Sequence, residues 1–352
     1  MRNLLITRFS ALGDVAMSVP VVYNVCRSNP DVRFYYLTRR VPAQVFVNPP
    51  DNLTVVDVDL QRYKGVAGMR RLASELKARY GLDGYADLHD VLRTKLLRFF
   101  LRLSGVRVAR IHKRRRARRN LTRRHNKVMI PLTGARALYR EVFWRLGLAR
   151  EDSFTGIYAD SAPDPMQFAA ATPPRGDGQT WVAIAPFARH AGKIYPAELM
   201  KQVVAELAAR PGYKIFLLGA GEKESRILDD WAAVSPSNIV NMAPLRLGIP
   251  AEMALMSYCS AVISMDSANM HLASLVRVPV VSVWGATHPY CGFMGWHQRR
   301  ENTVQLDMVC RPCSIFGNKP CRRGDYHCLG GIPPSLVIAR LDLVLGRMAD
   351  DR

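Results

Sequence analysis

Short apolar runs alternate along the chain with longer stretches whose apolar positions recur at helical spacing. Residues 3–8, 33–37 and 54–58, and the run 84–89, read as strands, with amphipathic helices expected over 15–26, 69–79, 92–103 and 135–148. The rhythm restarts further on, with strands expected over 181–185, 213–218, 238–240, 261–263 and 278–283 and a helical pattern over 270–276. Strands alternating with helices predict an α/β protein with parallel sheets and right-handed crossovers. Ligands of such sheets gather where the strands' C-terminal edges open into helix N-termini, because free backbone N–H groups and the helix dipole point outward there. The stretch 261–289 has that form: a buried strand, the small and polar Asp266-Ser267-Ala268-Asn269, a helix, and a second buried strand.

Two Pro- and Gly-rich patches, 161–165 and 172–178, interrupt the rhythm and predict a boundary. The chain has 352 residues, which suits two domains. We expect a first domain over 1–160, a linker over 161–179, a second domain over 180–333 and a closing helix over 334–352.

Composition is globular, with 49% apolar and 22% charged residues. No apolar run approaches the ~20 residues of a membrane span, and the N-terminus meets a charge too soon for a signal peptide, so a cytoplasmic protein is expected. The formal charge of +21 is uneven: residues 91–140 hold 17 Lys or Arg and no acid. Its densest part, 107–127, contains Lys113-Arg114-Arg115-Arg116 and Arg118-Arg119. Such a run is either a solvated loop or a contact for an anionic partner. It lacks interleaved aromatics for stacking on bases, so no nucleic acid is expected, and a flap over an anionic lipid surface fits its charge.

Several side chains fall at strand ends. Asp14 follows the first strand and is either a helix N-cap or a general base. Asp87 and His89 either face a substrate or hold local structure. Arg189 and Lys193, after the strand 181–185, are solvated cations or partners of a diphosphate. Gly219-Ala220-Gly221-Glu222 makes a GxG turn, whose acid either binds a ribose hydroxyl pair or serves the first helical turn. Cys310, Cys313, Cys321 and Cys328 have the spacing C-x2-C-x7-C-x6-C, compatible with structural zinc, with His327 as a substitute ligand, or with reduced thiols packed in a loop. Cys26, Cys259 and Cys291 sit in apolar contexts as buried thiols of a reduced protein.

Taken together, residues 8–15 (RFSALGDV), Lys193 before Tyr195-Pro196, Gly219-x-Gly221-Glu222, Asp266-Ser267-x-x-x-His271-Leu272-Ala273 and Trp284-Gly285-Ala286-Thr287-x-Pro289 resemble glycosyltransferase family 9, the lipopolysaccharide heptosyltransferases. The resemblance implies a GT-B fold, two Rossmann-like domains with parallel sheets facing across a cleft. It implies inverting transfer of a heptose from an ADP-sugar to the inner core of lipopolysaccharide, with no metal or other cofactor required. By position it makes Asp14 the base, and Arg189, Lys193, Glu222, Met242, Asp266, Ser267, Ala268, Asn269 and His271 donor contacts. Met242 would lie near the adenine, Asp266 on the sugar, and the backbone N–H groups of Ser267, Ala268 and Asn269 on the diphosphate. Arg8, Ser10, Asp87, His89, Arg114, Arg115 and Arg116 are the candidate acceptor contacts. The implied partners are a nucleotide sugar, a lipid-linked anionic saccharide and the anionic inner face of the membrane. Structural zinc at the four clustered cysteines is the lesser expectation within the family. Ser267-Ala268 departs from the Thr-Gly of many members, which leaves the donor's sugar and nucleotide open. The alternatives are an epimerase of similar architecture and a non-catalytic protein that binds membranes or nucleic acid.

Overall fold

The computed structural model describes residues 1–149, 151–159 and 161–350, without the side chains of 348–350. The chain forms two compact units, one of Met1–Arg114 with Thr133–Asp160 and one of Arg115–Leu132 with Ser161–Arg352. Among the described residues no helix is long and apolar enough to cross a membrane.

The first unit runs β1 (Asn3–Thr7), α1 (Leu12–Ala16), α2 (Val19–Arg27), β2 (Arg33–Thr38), α3 (Arg40–Ala43), β3 (Leu53–Asp57), α4 (Gly65–Tyr80), β4 (Gly84–Asp87), α5 (Leu92–Leu103) and β5 (Arg107–Arg110). After α6 (Arg115–Thr122), which belongs to the second unit, comes α7 (Ala135–Arg145). Its five strands are parallel in the order β3-β2-β1-β4-β5. Leu5 on β1 and Tyr85 on β4 meet Leu72 and Leu76 of α4 and Leu97 and Leu101 of α5 in one apolar cluster. Full burial of each such side chain contributes about 1.5–3 kcal/mol.

The single helix expected over 15–26 is two, α1 and α2. Pro20 lacks an N–H and its ring would crowd the carbonyl four residues back, so the chain turns at Met17-Ser18 and restarts with proline in its first turn. Helix α5 has the bounds that periodicity predicts. Strand β5 has only Ala109 buried between arginines, so its sequence carries no apolar run to reveal it.

In the second unit come β6 (Thr180–Ala185), α8 (Ala197–Ala208), β7 (Tyr213–Leu217), α9 (Gly221–Ala232), β8 (Ile239–Asn241), α10 (Ile249–Tyr258), β9 (Ala261–Met265), α11 (Ala268–Leu275), β10 (Val280–Val283), β11 (Thr303–Val304), α12 (His327–Gly330) and α13 (Pro334–Asp350). The sheet order is β11-β10-β9-β6-β7-β8, all parallel. Strand β9 lies between β6 and β10, so three C-terminal edges open side by side after Ala185, Met265 and Val283.

The expected linker differs. The stretch 161–179 packs onto the second unit: Phe168 is buried against Trp181 and Tyr258, the Tyr258 hydroxyl donates to the Pro163 carbonyl at 2.7 Å, and Arg175 donates to the Tyr258 carbonyl at 2.9 Å. Helix α13 starts at the expected residue 334 and inserts Val337, Ile338, Leu341 and Val344 into the second core.

Candidate active site

At the edge formed by β6, β9 and β10, Lys193 Nζ lies 2.8 Å from Asp266 Oδ2, and the Thr287 hydroxyl donates to that same oxygen at 2.8 Å. Asp266 is only 3% exposed. A buried carboxylate needs such partners, because desolvation otherwise disfavours its charge. Each of the three strands delivers one group: Lys193 follows β6, Asp266 follows β9, and Thr287 follows β10. The register of a buried parallel sheet therefore sets the geometry of the cluster.

Glycines allow the loops to approach. The Gly192 carbonyl accepts from Ala286 N at 2.8 Å, and a Cβ on Gly285 would lie 2.7 Å from that carbonyl oxygen and 2.5 Å from Leu329 Cγ. Gly317, at φ +72°, lies against the Lys193 stem; a Cβ there would lie 2.6 Å from Lys193 Cγ. Arg311 locks the same loop. It is 3% exposed and donates to the carbonyls of Gly285 (2.5 Å), Trp284 (3.1 Å) and Thr287 (3.0 Å), to Gln305 Oε1 (2.9 Å) and to the Leu306 carbonyl. Burial pulls its pKa down from the ordinary arginine value. Sequence reasoning missed this residue; a lone arginine among cysteines carries no pattern that announces a buried hub.

The start of α11 lies beside the cluster. Ser267 caps the helix in an extended conformation, but its own N–H turns back to the Met265 carbonyl at 2.7 Å. The expectation that Ser267 N–H faces a diphosphate is therefore corrected. The first-turn N–H groups, from Ala268 and Asn269, lack intrahelical acceptors by the geometry of a helix end. Ala268 is the first helical residue and is not among the residues of positive φ, so the Cβ that replaces a glycine here causes no backbone strain.

The remaining donor candidates are spread out. Arg189 is exposed in the loop after β6. Glu222 is exposed in the first turn of α9 and pairs with Arg226, while Glu224 Oε2 accepts from Ala220 N at 2.8 Å; Glu224 thus tightens the GxG turn and Glu222 points outward from it. Met242 is buried, as is His271 one turn into α11.

In the first unit, Asp14 sits in the first turn of α1. Its Oδ2 lies 2.7 Å from Arg8 Nη2 and accepts from Ala11 N at 3.2 Å. Arg8 is buried, donates to the Leu88 carbonyl at 2.5 Å and lies 5.7 Å from the centre of the Tyr139 ring. Burial works against its charge, yet Asp14, Tyr139 and Tyr36 together outweigh it and raise the Arg8 pKa. Arg8 is therefore a positioning residue for Asp14, not the acceptor contact expected, whereas Ser10 is half-buried in the same loop. Asp14 is not the N-cap, which is Ala11; from the third helical position its carboxylate reaches back to the Ala11 N–H, and it keeps partial exposure.

Asp87 is fully buried. Its carboxylate accepts from His89 N (2.9 Å), Asp90 N (2.8 Å) and Arg98 Nη1 (2.5 Å), so it shapes the loop after β4 and is closed off from solvent, against the expectation of an acceptor contact. His89 Nδ1 accepts from Phe9 N at 3.4 Å. Burial first, then the positive charge of Arg8 and Lys113, push the His89 pKa down to about 3, which keeps the ring neutral at physiological pH.

The basic segment divides between the units. Arg114 is held by Glu141 at 2.8 and 3.1 Å in the first unit and stays half exposed. Residues Arg115–Leu132 pack on the second: the Arg118 guanidinium lies over Phe293 and Phe316, Lys127 Nζ donates to the carbonyls of Cys310 (2.5 Å) and Pro312 (2.9 Å), and Arg322 donates to the Thr122 carbonyl at 3.3 Å. Arg115 and Arg116 remain exposed. The segment is not a loose flap, and its placement differs from the expected membership of the first domain. The seven cysteines form no disulfide, Cys328 lies in the second core, and among the described residues no three His, Cys, Asp or Glu side chains are grouped to hold a metal.

The family model described as glycosyltransferase family 9 (heptosyltransferase) matches residues 69–326. Lipooligosaccharide heptosyltransferase 2 of Campylobacter jejuni is 21% identical over 334 residues, covering 93% of this chain and 93% of that protein. The solved glycosyl transferase family 9 structure from Veillonella parvula superposes with a TM-score of 0.75 at 18% identity over 98% of both chains. The ADP-heptose lps heptosyltransferase II of E. coli gives 0.68 at 16% identity, over 99% of this chain and 100% of that one. At these identities the structures speak for the fold, which is that of the GT-B heptosyltransferases. With the family model spanning most of a chain built of two parallel-sheet units, the protein belongs to glycosyltransferase family 9, the heptosyltransferases, and is a glycosyltransferase.

Proposed function

We propose that the enzyme moves a heptose from an ADP-heptose to a sugar of the lipopolysaccharide inner core, inverting the anomeric centre. The observation that carries the reading is the Lys193–Asp266–Thr287 cluster beside the N-terminus of α11. Lys193 and Thr287 both converge on Oδ2 of Asp266, so Oδ1 is the oxygen suited to a sugar hydroxyl, while the lysine and the α11 N–H groups suit a diphosphate. The names of the relatives support lipopolysaccharide or lipooligosaccharide as the acceptor class and ADP-heptose as the donor class.

The chemistry is one displacement. The acceptor oxygen forms a bond to the anomeric carbon as the bond from that carbon to the diphosphate oxygen breaks. ADP departs with the electron pair, and the acceptor's proton passes to Asp14 Oδ. Lys193 and the first turn of α11 stabilise the charge that grows on the leaving diphosphate, a role that calls for no metal in this reading. Arg8 holds Asp14 as the carboxylate and fixes its direction. The working location is the cytoplasmic face of the inner membrane, with no nucleic-acid partner.

Thermal unfolding with a panel of nucleotide sugars tests the donor assignment, since a ligand at 100 times its Kd stabilises by about 2.7 kcal/mol. ADP-heptose is expected to raise the midpoint of the wild type and to lose that effect in Lys193→Met. A shift by UDP-sugars alone, or an equal shift in the variant, would reject the donor site.

A further inference from the structure

We infer that helix α5 docks the protein on an anionic bilayer through its outer face. This rests on the proposed lipid-linked acceptor only for its purpose; the surface itself is read from the helix.

Helix α5 has two apolar faces. Thr94, Leu97 and Leu101 point inward to the first core. On the other side, Leu92 is 74%, Phe99 55% and Leu103 70% exposed, with Leu96 partly buried. At about 100° per residue, Leu92, Leu96, Phe99 and Leu103 fall within roughly 60° of one another, opposite the core face. Lys95 and Arg102 flank this stripe on one side and Arg93 on the other, all exposed. A water-facing helix surface ordinarily puts polar residues where this one puts two fully presented leucines and a phenylalanine.

Charge selects the occupant. No acid lies between residues 91 and 140, so no carboxylate on the helix competes for its cations. Among the described residues, the cation of α5 that is paired is Arg98, turned inward to Asp87 and Asp90 at 2.5 and 3.3 Å, away from the stripe. An apolar stripe rimmed by Lys and Arg is the form of a helix that lies in the headgroup plane of a negatively charged membrane, its side chains inserted and its cations on phosphates. The exposed Phe99, edge-on to Phe100 at 5.3 Å, suits that interface. Anchoring at α5 would keep the enzyme on the surface that presents a lipid-linked sugar.

The test is co-sedimentation of the full chain with vesicles of phosphatidylethanolamine containing or lacking phosphatidylglycerol, with no acceptor present. Wild type is expected on anionic vesicles and in solution with neutral ones. L92S/F99S/L103S is expected to lower the anionic partition at least tenfold while the unfolding midpoint stays put. In R93Q/K95Q/R102Q each neutralised cation is expected to lower it about fivefold, the equivalent of ~1 kcal/mol. Transfer to a delipidated soluble acceptor is expected to be unchanged in both variants. Undiminished vesicle binding by the serine variant would overturn the inference, as would a wild-type dimer that this variant dissociates without any vesicle binding. Absence of heptosyl transfer by the wild type to either acceptor, with vesicle binding intact, would instead strike the proposed function alone.

Discussion

Replacing Arg311 by methionine probes the hub beneath the donor loop. The side chain is of similar length, so the site stays filled, but the donors to Gly285, Trp284, Thr287, Gln305 and Leu306 are lost. A buried acceptor left without a partner costs about 1–3 kcal/mol. Allowing for sharing and relaxation among neighbouring carbonyls, the loss for three loop carbonyls is about 3–6 kcal/mol. In a unit of this size 1 kcal/mol moves the midpoint by about 2–4 °C, so a fall of roughly 6–24 °C is expected. Thr287 rides on this loop and holds Asp266, so donor KM is expected to rise even where the protein is fully folded. Arg311→Lys keeps the charge but loses the planar fork and is expected to fall between the two. Differential scanning calorimetry and donor titration in the transfer assay read both effects. A midpoint within 2 °C of wild type together with an unchanged donor KM would refute the hub.

Gly285→Ala forces a Cβ against the Gly192 carbonyl and Leu329; overpacking of this kind costs about 1–3 kcal/mol, and urea unfolding with donor titration should show lower stability and a raised donor KM. His89 supplies a pH test. Its folded pKa of about 3 lies below the unfolded value near 6.5, so the unfolded state binds the proton first and stability falls as pH drops below 6.5. Between pH 7.5 and pH 5 this amounts to about 2 kcal/mol, a loss that His89→Gln should largely remove in paired urea titrations; identical pH slopes in the two proteins would count against a neutral buried ring. Arg8→Met frees the Asp14 carboxylate from its ion pair, and the acidic limb of the transfer pH profile should move upward, whereas an unmoved limb would separate Arg8 from the base.

Much of the scaffold was legible because buried parallel strands are apolar throughout. The runs at 181–185 and 261–263 announce themselves, and Asp266 and Lys193 follow as the polar residues at their ends. Strand β5 and helix α6 lay hidden in a cationic stretch where charge masks period: Ala109 is the one buried residue of β5, and α6 rests on Leu121, Thr122 and the aromatic contacts of Arg118. Site residues divided along a similar line. Those named by position at a strand edge, Lys193 and Asp266, are brought together. Asp87 and Arg8 share that kind of position, but each is taken up by a local partner, which depends on contacts such as Arg98 to Asp87 that no spacing encodes. Arg311 and Thr287 acquire their roles only when distant loops meet.

Turnover of Asp14→Asn, measured beside its ADP-heptose affinity, bears most directly on the proposed displacement. A fall in kcat of about 10²- to 10⁴-fold with donor binding unchanged is the expected result, because the amide keeps the shape and loses the proton acceptor. Turnover close to that of the wild type would contradict the assignment of Asp14 as the base.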